Sequence, residues 1–108
     1  MVKTILQINY KFNSPRAEHT ALVTPSAQHL AVVPGLVWKI WLVNEADREA
    51  GGMYLFESAE QAQAFLQSAL VRDFAAHPTL SAFSVKMFEP VESLSKITRG
   101  PLTVAANV

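Results

Sequence analysis

The stretch Pro34 to Phe56, PGLVWKIWLVNEADREAGGMYLF, decides the fold. It opens on a Pro-Gly turn, runs as an apolar strand from Leu36 to Val43, crosses six mostly charged residues (Asn44 to Glu49), and returns through Ala50, Gly51 and Gly52 as a strand from Met53 to Phe56. This pattern predicts a β-hairpin. Successive side chains of a strand alternate faces, so Trp38 and Trp41, three apart, face opposite sides of the sheet. Met53 and Leu55 oppose Tyr54 and Phe56 in the same way. A sheet with one wet side alternates apolar and polar residues cleanly. This hairpin instead requires cover on both sides.

Upstream, Val2 to Phe12 is apolar at most even positions and polar at odd ones, Ile5 excepted, which predicts a strand with one greasy and one mixed face. Ser14 followed by Pro15 reads as a helix start, the hydroxyl capping free amides. A helix from Pro15 to Val32 then meets Pro25, where it is expected to kink. Downstream, Ser58 with Gln61 is a capping box, and Ala62, Phe65, Leu66, Ala69 and Leu70 form one apolar helical stripe ending near Phe74, before His77 and Pro78. Ser81 to Phe88 is a last strand with Phe83, Val85 and Met87 on one face.

The order is βαββαβ, an α+β ferredoxin-like arrangement with two helices on one face of a four-stranded antiparallel sheet. Residues 1–90 form the domain, and 91–108 a C-terminal extension that packs on it or on a partner. The helix side is expected to hold Leu6, Ile8, Tyr10, Leu36, Trp38, Ile40, Phe83, Val85 and Met87. The other face takes Ile5, Gln7, Asn9, Val37, Lys39, Trp41, Val43, Ser84 and Lys86, with Tyr54 placed beside them. So large an apolar patch exceeds what monomers tolerate. A second copy of the chain, packed face to face as a homodimer, is the economical cover and encloses an apolar pocket.

Composition narrows the partners. In 108 residues, nine basic and nine acidic side chains give zero formal net charge, without the basic excess that nucleic acid or an anionic membrane surface requires. No cysteine is present, so disulfides and thiolate metal sites are excluded, which fits a reducing cytoplasm. The alternating N-terminus has no signal-peptide pattern, and no run approaches the roughly 20 apolar residues of a membrane span.

The segments TILQINYKFNSP, PGLVWKIW, EAGGMYLFESAEQAQAFL and SLSKI resemble the small YdhR-type mono-oxygenase family of the dimeric α/β-barrel superfamily, over nearly the whole chain from Thr4 to about Ile97. The resemblance implies oxidation of a small aromatic, phenolic or quinol-like substrate with molecular oxygen and no cofactor or metal. Such chemistry asks the protein only to bind, deprotonate, orient and exclude water. Asn9, Lys39 and Tyr54 are the catalytic candidates. Gln7, Asn9, Lys39, Trp41, Tyr54 and Lys86 are the substrate-binding ones: amides for substrate oxygens, rings for walls, ammonium groups for an anion. The alternatives are a barrel that binds small ligands such as aromatics or serves in stress without catalysis and, further off, a haem-handling protein.

Each candidate also has a plainer role. Trp38 and Trp41 suit packing, Lys39 and Lys86 suit rim charges with stems on apolar surface, and Gln7 and Asn9 suit hydrogen bonds across a dimer. Gly51 and Gly52 precede a strand and lack phosphate-loop spacing, so they read as a bulge or close backbone approach. His19 and His29 are read as surface residues. His77 matches, loosely, a haem-binding histidine of some barrel relatives. Glu45, Asp47 and Glu49 read as a solvated turn.

Overall fold

The computed structural model describes residues 2–102. The strands are β1 (Thr4–Phe12), β2 (Leu36–Asn44), β3 (Glu49–Phe56) and β4 (Leu80–Phe88); the helices are α1 (Arg16–Val23), α2 (Ser26–Ala31), α3 (Ala59–Leu66), α4 (Ala69–Ala75) and α5 (Glu92–Ile97). All strand pairs are antiparallel, in the spatial order β2-β3-β1-β4. Leu6, Ile8, Tyr54 and Phe56 on the sheet pack against Leu30, Ala62 and Phe65 on the helices. The ferredoxin-like α+β fold is therefore present, with helices covering one face.

Each expected helix is built in two pieces. At Thr24 and Pro25 both residues keep right-handed helical angles, so the path bends where proline removes a donor without leaving helical space. The second interruption, at Gln67 and Ser68, breaks the helix that the apolar stripe carries through to Phe74. Ser68 Oγ donates to the Phe65 carbonyl at 2.6 Å and accepts from Val71 N at 3.4 Å, ending α3 and capping α4. Ser58 caps α3 as expected, accepting from Gln61 N at 3.2 Å. Ser14 does not cap α1. Pro15 occupies that position with no side-chain cap, while Ser14 is buried and its carbonyl accepts from Arg48 Nη2.

The hairpin loop is shorter than expected, because β3 starts at Glu49 and already contains both glycines. Asn44 closes it, its Oδ1 accepting from Asp47 N at 3.1 Å. A larger correction concerns β2. Leu36 pairs with Phe56 but Trp38 pairs with Leu55, so Val37 is an extra residue, a bulge that reverses the alternation beyond it. Lys39, Trp41 and Val43 thus join Tyr54, Gly52 and Ala50 on the helix side, and Trp38 and Ile40 move to the opposite face. Tyr54 pairs with Leu6 and is on the helix side too, not on the open face where the sequence reading places it.

The open face is partly covered by the chain's own C-terminal segment. Trp38 Nε1 donates to the Pro101 carbonyl at 2.7 Å, and Leu102 is buried. Leu55, beside Trp38 in register, has 0% exposure. Ile40, Leu42 and Phe88 remain exposed. Residues 103–108 of the predicted extension lie outside the described residues.

Candidate functional site

Gly52 and Ala50 leave the middle of the helix-side face low, because neither carries a side chain beyond one methyl. Around them stand Trp41, Ile8, Tyr10 and Tyr54 from the sheet, roofed by Leu30, Phe65, Val71 and Phe74. The result is a cavity of about 130 Å³ between sheet and helices. An enclosed apolar cavity of about 150 Å³ takes up benzene. The cavity therefore suits a molecule with one aromatic ring held inside and any further ring at the open rim. Trp41 and Val85 are half exposed and form its rim.

Lys39 is the charged side chain of this lining. Its stem crosses Gly52, where an added Cβ would sit 2.5 Å from Lys39 Cε. The Nζ rests 3.4 Å from the centre of the Trp41 ring and 4.6 Å from that of Tyr54. Two ring faces favour the ammonium by about 0.5–2 kcal/mol each. Burial opposes it, pulling the Lys39 pKa from 10.5 down to about 7. Near neutrality this amine is therefore divided between a proton acceptor and a cation. Burial, and the neighbouring Tyr10, push the Tyr54 hydroxyl above its ordinary value, so it stays a neutral phenol.

A second polar pair lies in the wall. Tyr10 OH and His19 Nε2 are 2.7 Å apart, and the His19 ring stacks on Phe12 with centroids 4.5 Å apart. Burial raises Tyr10 to about 12 and lowers His19, so both are neutral at pH 7. The surface role expected for His19 is thus wrong. Tyr10→Phe should leave the imidazole without its partner and cost about 1–3 kcal/mol, read as a lowered midpoint in urea unfolding. An unchanged midpoint would show that the bond contributes nothing.

Of the six residues expected to bind substrate, Lys39, Trp41 and Tyr54 meet in this cavity. Gln7, Asn9 and Lys86 do not line it. They sit on the opposite face, Gln7 paired with Lys86 and Asn9 with Ser84. His77 is also outside the lining, its Nδ1 held 2.9 Å from Thr79 Oγ1 in the turn before β4. Among the described residues no group of three or more histidine and carboxylate side chains is placed to hold a metal ion.

The family model described as "Putative mono-oxygenase ydhR" matches residues 5–101. The chain belongs to the YdhR family. No curated protein matches it in sequence. Among solved structures, this YdhR-family chain is similar to SnoaB of Streptomyces nogalater, a cofactor-independent oxygenase, at 16% identity and a TM-score of 0.68, over 83% of this chain and 94% of that one. It is also similar to the haem degrader MhuD of Mycobacterium tuberculosis, at 20% identity and a TM-score of 0.62, over 81% and 95% of the two chains. At such identities the likeness concerns the fold. Tyr10 and His19 went unnoticed as site residues in the YdhR-family sequence, although a signal was there. His19, Leu22, Ser26 and Leu30 recur at three- and four-residue intervals, which puts His19 on the inward stripe of the first helical stretch.

Proposed function

We propose that the cavity binds a small aromatic, phenolic or quinol-like substrate and oxygenates it with molecular oxygen alone. The neutral Lys39 amine takes the acidic proton of the substrate, and the resulting anion, stabilised by the ammonium so formed, supplies electrons to oxygen. For a ring methylene the balance is one O2 consumed, one oxygen atom kept as a carbonyl, and the other leaving with the two hydrogens as water. Trp41 and Tyr54 hold the ring against the amine, and the apolar roof keeps water away. The observation that carries this reading is the Lys39 amine flanked by the Trp41 and Tyr54 rings in the wall of an aromatic-lined cavity.

Oxygen uptake with anthrone-type phenols and quinols is the test. One O2 per substrate is expected, with kcat/KM at least about ten-fold lower in Trp41→Ala, the loss of one ring wall. Ligand binding by tryptophan quenching with no uptake from any such compound would leave a barrel that binds without turning over.

The reading includes a homodimer formed through the faces opposite the helices and working in the cytoplasm. Exposed Ile40, Leu42 and Phe88 on that face support it, and no helix among the described residues is long and apolar enough to cross a membrane. A dimer mass is expected in sedimentation at micromolar concentration; a monomer there would remove the pairing.

A further inference from the structure

We propose that Lys39 is a carbonyl-reactive lysine, whose amine condenses with an aldehyde or ketone on an aromatic ligand seated in the cavity to give an imine. The nitrogen forms the C=N bond, and the carbonyl oxygen leaves as water with the two amine hydrogens, so no oxidant or reductant is needed. The same residue serves the oxygenation reading, but this reactivity does not depend on it and would operate equally in a protein that only binds.

Three features of the site support the assignment. First, the amine is held rather than free, because Gly52 gives the stem its path and the rings of Trp41 and Tyr54 flank the nitrogen. A carbonyl on a ring stacked in the chamber is brought to it in one orientation. Second, nothing neutralises it. The ion pairs among the described residues are Lys3–Glu57 and Arg16–Glu45, and no buried side-chain nitrogen or oxygen lacks a partner, so the unpaired Lys39 nitrogen is one that the cavity reaches. Third, the surroundings are apolar, which favours the step that expels water and disfavours its reversal. The lowered pKa adds to this, since only the unprotonated amine attacks. The other lysines are placed differently: Lys3 pairs with Glu57, Lys11 donates to the Asp47 carbonyl, and Lys86 and Lys96 are exposed.

The experiment is reductive trapping of the full chain with 1-naphthaldehyde and cyanoborohydride, followed by intact mass and peptide mapping. At pH 7 a single naphthylmethyl adduct on Lys39 is expected, forming at least about ten-fold faster than on any other lysine, because the chamber holds the ring against this amine. Its rate should level off above about pH 8. Excess 2-naphthol should slow it by occupying the chamber, and Lys39→Met should lose it. Label spread over Lys3, Lys11, Lys86 and Lys96, with Lys39 unmodified or no faster, would overturn the proposal. Lys39 labelling without oxygen uptake would uphold it while ending the oxygenation reading, and uptake without labelling would do the reverse.

Discussion

Lys39→Met is expected to yield a protein that is more stable at pH 7 and turns over far more slowly. Methionine keeps the length and apolar stem of lysine and removes the head that burial penalises. The drop in pKa from 10.5 to about 7 corresponds to an upper bound of about 5 kcal/mol. Water in the open cavity and the loss of two cation–π contacts reduce this, so a gain of about 1–2 kcal/mol is expected, a few degrees or more in Tm. The sign follows from proton counts. Between pH 7 and 10.5 the unfolded chain holds a proton at this position that the folded chain has released, so the native protein gains stability as pH rises through that window. The advantage of the variant is therefore full below pH 7 and fades towards pH 10. Turnover should fall by about 10²–10⁴, the usual contribution of a positioned base. Paired melts at pH 6 and pH 9 with an oxygen electrode check both halves; a variant destabilised at pH 6 would contradict the burial argument.

The second large effect separates two adjacent glycines. An alanine Cβ at Gly51 would lie 2.0 Å from the Ile8 carbonyl oxygen and 2.9 Å from Asn9 Cα, both backbone atoms of the neighbouring strand. Neither can move without parting β1 from β3 in the middle of the sheet, so Gly51→Ala should cost about 3 kcal/mol or more. At Gly52 the obstacle is Lys39 Cε, at 2.5 Å, with the Ile40 carbonyl oxygen at a tolerable 3.2 Å. A flexible stem can swing away, so Gly52→Ala should fold within about 1 kcal/mol of the parent while displacing the amine, with turnover falling as far as in Lys39→Met. Urea unfolding and activity measured on both variants decide this. Equal destabilisation of the two would refute the distinction.

Much of the architecture was readable because its signals are redundant. The hairpin, the Ser58 cap and the alternation of β1 and β4 each point to one element, and β1 and β4 have the facing expected of them. The phase of β2 was not readable. Leu36, Val37, Trp38, Ile40, Trp41, Leu42 and Val43 are apolar in either register, so no hydrophobic pattern marks an added residue, and register is weakly specified where both faces are greasy. That one ambiguity exchanged the faces of Lys39 and Trp41 and, with them, the location of the site. Lys39 and Trp41 stay together because residues two apart on one strand share a face in either phase, and Tyr54 meets them because its own placement on the open face was also reversed. Gln7, Asn9 and Lys86 sit on stretches of β1 and β4 that keep the expected facing, and so they were left behind. His19 was missed for another reason: Pro25 interrupts the three- and four-residue spacing that turns it inward, and that spacing does not say that a tyrosine nine residues earlier will hydrogen-bond to it.

The bulge at Val37 also makes the chemistry of the chamber depend on chain length at a single point. Deleting that residue would slide every later position of β2 by one, turning indole and sec-butyl groups inward as Trp38 and Ile40 and sending the cationic side chain of the wall out towards solvent. A one-codon insertion or deletion here acts as a toggle between a chamber that can take up a proton and one that is merely oily, with the rest of the scaffold left in place.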